Sequence, residues 1–251
     1  VKPESFVSPS KMNIANVVLP QACAHLIQRQ LTMADINSLL DFRQDIFLGL
    51  ADPDWVRPEI DEIQWAQSRL GLDGRCTALF EPSGALVAYA SIYFPRHISL
   101  ELGVPPVGML ENSSDRISII DSCMVHPQYR GNGLQRSLIL ARFKTAEITG
   151  RSLCLAFTSP ANDASRHNLI SCGLSICWIG QTLVTKRTRQ ILVRDLPLVN
   201  GSYGPVIWVP CHDIEQQRIL TLAGYRGFCE MPGTPLQIGY ATPGVAHSVL
   251  V

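Results

Sequence analysis

Short runs of alternating or continuous apolar residues take turns along the chain with segments whose apolar positions recur every three or four residues. "HLIQRQL" (25–31) alternates as a strand does. Thr32 then offers an N-cap, with Asp35 three residues on as a variant of the capping box. Ile36, Leu39, Leu40, Phe47 and Leu50 follow at helical spacing and predict a helix over about 33–50. "ADPDWVRP" breaks the chain, and "EIDEIQWAQSRLG" resumes a helix before the Asp73–Gly74 turn. "RCTALF" and "ALVAYASIYF", separated by "EPSG", read as a hairpin, and the proline-rich stretch 95–115 as a loop.

"RISIIDSCMV" (116–125) is the clearest strand, and alternation puts Ile117, Ile119, Asp121, Cys123 and Val125 on one face. "LQRSLILARFKTAEITG" reads as a helix ending at Gly150, with Leu134, Leu138, Ala141 and Ile148 as its apolar side. "SLCLAFTSP" is another strand and "ANDASRHNLISCG" a helix with a glycine stop; "LSICWIGQTLVT" and "RQILVRDL" complete a strand pair. After Asn200–Gly201 the order restarts: "PVIWVPC" as strand, "HDIEQQRILTLAG" as helix, "YRGFCEM" as strand. The expected organisation is a poorly ordered lead-in (1–20), a main domain (21–199) and a C-terminal extension (200–251) that reads as a degenerate half-repeat packed on it.

Composition narrows the class. Of 251 residues 46 % are hydrophobic and 17 % charged, which is globular rather than disordered. Twenty-one basic residues balance 21 acidic ones, so no overall field draws nucleic acid or an anionic membrane as partner. No apolar stretch reaches the ~18 residues of a membrane span, and the first residues lack the basic start and apolar core of a secretory leader. The eight cysteines form no C-x-x-C pair and mostly sit in apolar runs, as buried reduced thiols of a cytoplasmic protein would. The six histidines show no H-x-x-x-H spacing, so no metal is expected.

The chemistry concentrates in "HPQYRGNGLQRSL" (126–138), between the clearest strand and the helix after it. No G-x-x-x-x-G-K-[ST] string occurs, and a G-x-G-x-x-G reading finds Arg136 in the third glycine's place. Nor does an acidic residue close the next strand, as a dinucleotide site requires. What remains is a loop whose glycines, 131 and 133, let backbone N–H groups approach an anion at a helix start. Two readings stand: a cradle for adjacent phosphates, or a plain strand-to-helix turn.

"DSCMVHPQYRGNGLQRSLI" resembles motif A of the GNAT acyltransferase superfamily, whose Q/R-x-x-G-x-G/A signature is matched by Gln128, Gly131 and Gly133. "NDASRHNLISCGL" resembles its motif B, N-x-x-A-x-x-L-Y-x-x-x-G-F, through Asn162 and Gly173. The sequence departs from the pattern at Gln135, where a third glycine is frequent, at Leu169, where the tyrosine stands, and at Leu174, in place of phenylalanine. The resemblance implies an α/β (α+β) fold with a mixed, mostly antiparallel central sheet flanked by helices, here with an extra C-terminal strand–helix–strand unit. It implies an N-acyltransferase that uses acetyl-CoA, without a metal, on the amine of a small molecule or peptide. A CoA-binding sensor or partner module with little catalysis is the alternative.

The resemblance also distributes roles. Asp121 stands as general base, directly or through water, against a purely structural carboxylate. The backbone N–H of Cys123 is the oxyanion donor, its thiol a packing group. Val125 pairs its backbone with the pantetheine arm, and Gln128 belongs to the pyrophosphate signature. Amides of Tyr129, Arg130, Gly131, Asn132, Gly133 and Leu134 hold the pyrophosphate, with charge from Arg130. Asn162 either bonds the pantetheine or caps its helix. Ser165, His167 and Asn168 stand near the leaving group, with water as the bland proton donor. The C-terminal unit either covers the acceptor cleft or forms the edge of a homodimer.

Overall fold

The structure, a computed structural model, describes residues 15–56, 58–71, 73–95, 114–183, 185–196 and 203–244. Ten strands form one sheet. Across it lie β1 (Ile27–Gln30), β2 (Gly74–Phe80), β3 (Leu86–Tyr93), β4 (Ile117–Val125), β5 (Leu153–Thr158), β7 (Thr188–Asp195) and β6 (Ser175–Gln181). The C-terminal strands follow as β9 (Arg226–Met231), β10 (Gln237–Ala241) and β8 (Ile207–Pro210). Neighbours run antiparallel except β4 and β5, whose parallel pairing requires the crossover supplied by α3 (Leu134–Ile148). The sheet is thus mixed and mostly antiparallel, as the sequence implies.

Two helices, α1 (Ile36–Leu48) and α2 (Glu62–Leu70), cover one face around Phe42, Trp65, Ala78 and Tyr89. On the other face α3, α4 (Asp163–Ser171) and α5 (Ile214–Leu222) share a core of Ile139, Phe143, Leu169, Ile176, Leu220 and Tyr240. Among the described residues no helix is long and apolar enough to cross a membrane, and all eight cysteines are free thiols.

Capping residues decide where helices begin. Thr32 donates its N–H to the Asp35 carboxylate at 2.8 Å, so the predicted capping box forms and opens a 3-10 turn before α1. Asp61 accepts from the Gln64 N–H at 2.8 Å, which delays α2 to Glu62 rather than the start of "EIDEIQ".

Four expectations change. Residues 15–20 of the supposed lead-in are packed: Ala15 and Val17 are buried, and the Ala15 N–H donates to Thr145 Oγ1 on α3 at 3.3 Å. The rest of that lead-in, 1–14, and most of the loop read at 95–115 lie outside the described residues. Ile148, expected on the apolar side of α3, is the helix's last residue and is exposed, while Ala146 is buried. β10 is a strand that the pattern reading does not contain, because a central glycine interrupts its five residues.

The C-terminal unit continues the sheet. β8–α5–β9–β10 repeats the chain order of β5–α4–β6–β7, and the two sets sit back to back, with Ile176 of β6 facing Gly227 of β9. Both helices are capped alike: Asn162 accepts from the Ser165 N–H and Asp213 from the Gln216 N–H, each at 3.0 Å. Both stop on a left-handed glycine, Gly173 and Gly224.

An ion cluster ties α4 to β9. Arg166 has no exposed side-chain surface and bonds Glu230 at 2.8 Å and Asp163 at 2.7 Å, while His167 Nδ1 meets the other Glu230 oxygen. Removing Glu230 strands most of a buried charge, so Glu230→Ala is expected to cost about 3 kcal/mol in stability, read from urea unfolding.

Candidate active site

β4 and β5 pair only from Ile117 to Ile119 and from Leu153 to Leu155, and then separate. On its other side β4 loses register with β3: Ala90 faces Cys123 but Ile92 faces Ile120, so an extra β4 residue forms a bulge at Asp121–Ser122. The bulge corrects the one-face expectation for this strand. Ile119 packs toward Tyr93, whose ring also meets Arg69 of α2, and the Asp121 side chain points to that same face. Cys123 and Val125 turn over to pack with Leu134 and Leu138 of α3.

Three arginines occupy the bulge. Arg142 of α3, buried, donates from Nη1 to the Asp121 carbonyl at 3.0 Å and to the Ser91 carbonyl at 3.2 Å. Arg43 of α1 bonds Ser122 Oγ at 3.0 Å, Tyr89 Oη, and both oxygens of Glu62 at 2.6 and 2.8 Å. Its guanidinium also lies over the Trp65 ring, 3.7 Å from the centroid. Arg69 Nε meets the Asp121 carboxylate at 2.7 Å, where the Trp65 indole also donates at 3.2 Å.

Burial works against the Asp121 charge, but Arg69 and the hydrogen bonds from Arg69 and Trp65 outweigh it and hold the carboxyl below its usual range. Glu59, before α2, behaves in the opposite way. Partial burial and the neighbouring Asp121 carboxylate push it above the usual range, against the pull of Arg43 and Arg69. The sequence gave no sign of Glu59, which sits in a proline-rich link; Arg43 and Arg142 were visible as charges inside apolar helix stripes, four residues after Leu39 and Leu138.

Backbone direction follows from the ladder. The His126 N–H reaches the Val87 carbonyl on β3, so alternation turns the N–H groups of Cys123 and Val125 into the gap beside β5. The Val125 carbonyl accepts Arg130 Nε at 3.2 Å. Burial pushes the Cys123 thiol up, which suits a packing group and not a nucleophile.

After β4, Pro127–Tyr129 makes a 3-10 turn, with Gln128 exposed within it. The Tyr129 N–H is spent on the His126 carbonyl and the Arg130 N–H on Pro127, so the expected row of six amides shrinks to Gly131, Asn132, Gly133 and Leu134. Among the described residues these four have no acceptor within the chain. Gly131 and Gly133 take φ of 79° and 76°, the left-handed region, and a Cβ on Gly131 would meet nothing within 4 Å. The Tyr129 hydroxyl bonds Glu81, anchoring the turn to the β2–β3 hairpin.

On α4, Asn162 uses Oδ1 as the helix cap for the Ser165 N–H, which leaves its Nδ2 for another partner. Asn168 Nδ2 bonds Gln135 Oε1 at 2.8 Å and draws α4 to the first turn of α3. His167 instead faces Glu230, and Leu169 is buried in the core. Gly131–Leu134, Cys123, Val125, Asn162 and Asp121 thus line one gap, with Asp121 entering it from the opposite face. Among the described residues no group of three or more His, Cys, Asp or Glu is placed to hold a metal ion.

The model of the acetyltransferase (GNAT) family matches residues 36–173, more than half of the chain. Among solved structures, the protein yncA of Salmonella typhimurium, solved with its cofactor acetyl-CoA, is 19 % identical with a TM-score of 0.52, covering 71 % of this chain and 98 % of its own. NAA60 of Arabidopsis thaliana, in complex with acetyl-CoA, is 14 % identical with a TM-score of 0.51 over 68 % and 98 %. The ribosomal-protein-S18-alanine N-acetyltransferase of Escherichia coli is 15 % identical with a TM-score of 0.50 over 70 % and 96 %. At these identities the likeness is one of fold. A comparison with curated protein sequences gives no match.

The Asp121–Arg69 pair sets a pH test. A folded-state pKa below the unfolded value of about 3.9 contributes stability above that pH and loses it as pH falls through the folded-state pKa. The stability advantage of the wild type over Asp121→Asn is therefore expected to shrink as urea unfolding is repeated from pH 6 down to pH 3; a constant difference would contradict the ion pair.

Proposed function

The chain belongs to the acetyltransferase (GNAT) family, and on that premise we propose that it transfers an acetyl group from acetyl-CoA to an amine of a small molecule or peptide by direct attack. The observation that carries this reading is the row of four unspent amides, Gly131 to Leu134, at the start of α3 and beside the open edge of β4. Adjacent backbone donors at a helix N-terminus suit a pyrophosphate, and the open space over Gly131 lets its oxygens approach.

Acetyl-CoA supplies an activated thioester, and the chain's own groups hold and polarise it. Gly131–Leu134 donate to the pyrophosphate, helped by Arg130 once it leaves the Val125 carbonyl. Val125 then offers that carbonyl and its N–H to the pantetheine arm as an added strand. Asn162 Nδ2 donates to the same arm while Oδ1 keeps the cap. The Cys123 N–H donates to the carbonyl oxygen as negative charge develops there, an interaction worth about 3 kcal/mol of barrier.

An ammonium has no lone pair, so the acceptor must lose a proton before attack. Two carboxylates flank the gap, and their environments push their pKa values apart. In this reading Glu59 takes the proton, and Asp121 fixes Arg69 and Trp65 around the acceptor. With Leu169 buried, water protonates the departing thiolate.

Thiol release from acetyl-CoA across a panel of amines tests the reading. Turnover is expected, and Glu59→Gln should lower kcat about a hundredfold and remove the acidic limb of the pH profile, the usual scale for a lost general base. Asp121→Asn should preserve that limb; the reverse pattern gives the base role to Asp121. Gly131→Val should raise the acetyl-CoA Kd at least about tenfold, since strain and a blocked amide cost 1.5–3 kcal/mol. Tight CoA binding with no thiol release for any amine would instead support a sensor module.

A further inference from the structure

A cavity of about 640 Å³ opens where β5 ends. One wall is the β6–β7 hairpin, with Lys186, Arg187 and Arg189; the others are Ser159–Ala161 and Asp163 before and at the start of α4, Cys211, His212 and Ile214 at the start of α5, and Asp54. We propose that this cavity binds an oxyanion, a carboxylate or phosphate carried by the acceptor beside its amine, and that the C-terminal unit completes the pocket. The inference rests on the acyl-transfer reading for its account of the amine.

Position comes first. β4 and β5 are parallel and last pair at Ile119 and Leu155, so Ser159, four residues on, stands level with Cys123 to Met124. Both points lie about 13 Å beyond the last pair at the usual strand rise. The cavity floor therefore adjoins the part of the gap where the Cys123 N–H points. A small bifunctional molecule reaches from one to the other.

Charge comes second. Three cationic side chains line the cavity against two carboxylates. Asp54 is taken by Arg187 at 2.7 Å, a contact that also pins the hairpin to the segment after α1. Asp163 is taken from behind by the buried Arg166, also at 2.7 Å. The excess is positive, and the first turns of α4 and α5 add their dipoles in the same sense. Lys186 holds φ of 55°, a left-handed backbone that a side-chain-bearing residue adopts at a cost, and a constrained residue of this kind is characteristic of ligand clamps.

The C-terminal unit contributes by its arrangement. Because β6 and β9 sit back to back, the starts of α4 and α5 face one cavity, and removing the second unit would remove the wall of Cys211, His212 and Ile214. The smaller hollow of about 350 Å³ beside Arg29 and Asp35 lies at the β1 side of the sheet and has no such relation to the gap.

Matched pairs of amines test the proposal: β-alanine against β-alaninamide, and phosphoethanolamine against ethanolamine. The wild type is expected to favour at least one anionic member at least about tenfold in kcat/KM, equivalent to ~1.4 kcal/mol. That ratio should fall towards one in the Lys186→Gln/Arg189→Gln double variant and in Ile214→Glu, which adds a carboxylate from the C-terminal wall. A carboxylate-only or phosphate-only preference identifies the oxyanion. Equal use of both members of each pair, or a preference that survives the double variant, overturns the proposal. Should no amine be acetylated, the acyl-transfer reading fails by itself. Calorimetry with β-alanine and phosphoethanolamine then decides the cavity: binding lost in the double variant supports it, and no binding by the wild type overturns it.

Discussion

The bulge in β4 at Asp121–Ser122 is the constraint on which the rest of this structure depends. A parallel pair that opens after three residues leaves backbone groups without ladder partners, and buried polar groups must find others. Arg142 takes the Asp121 and Ser91 carbonyls, Arg43 takes Ser122, and Arg69 takes the Asp121 carboxylate. Each arginine comes from a different helix. The same contacts that satisfy the bulge therefore fix α1, α2 and α3 around it.

Opening the strand pair creates the gap, and turning β4 over distributes its chemistry. Before the bulge the strand packs its isoleucines; after it, Cys123 and Val125 pack on α3 and direct their N–H groups toward β5. The carboxylate of Asp121 stays on the α2 side, where Glu59 also lies, so backbone donors and carboxylates reach the gap from different directions. A regular strand would have put Asp121, Cys123 and Val125 on one side.

Stability and site architecture meet again at Arg166. It is buried at the foot of α4, shares Glu230 with β9, and draws Asp163 away from the cavity beyond β5. The C-terminal unit is joined to the sheet by a short β6–β9 contact, by this ion cluster, and by the buried amide network of Gln190, Gln217 and Tyr240. These are polar, directional contacts, which fix orientation more narrowly than apolar burial does.

The sequence by itself determined whatever depends on neighbours along the chain. Periodicity gave nine of the strands and all five helices, Thr32–Asp35 gave a helix start, and Gly131 and Gly133 gave a loop that needs left-handed backbone. These are local: caps, turns and alternation act over a few residues. Only the tertiary structure decided which face Cys123 and Val125 occupy, because a bulge is set by register against β3 and leaves no mark in the alternation of β4 itself. It likewise decided that Asp121 is paired with Arg69, 52 positions away, that Glu59 stands beside both, and that Tyr129 and Arg130 spend their amides on a turn. The state of a carboxylate or an amide depends on the groups that surround it in space, and those come from elements distant in the chain.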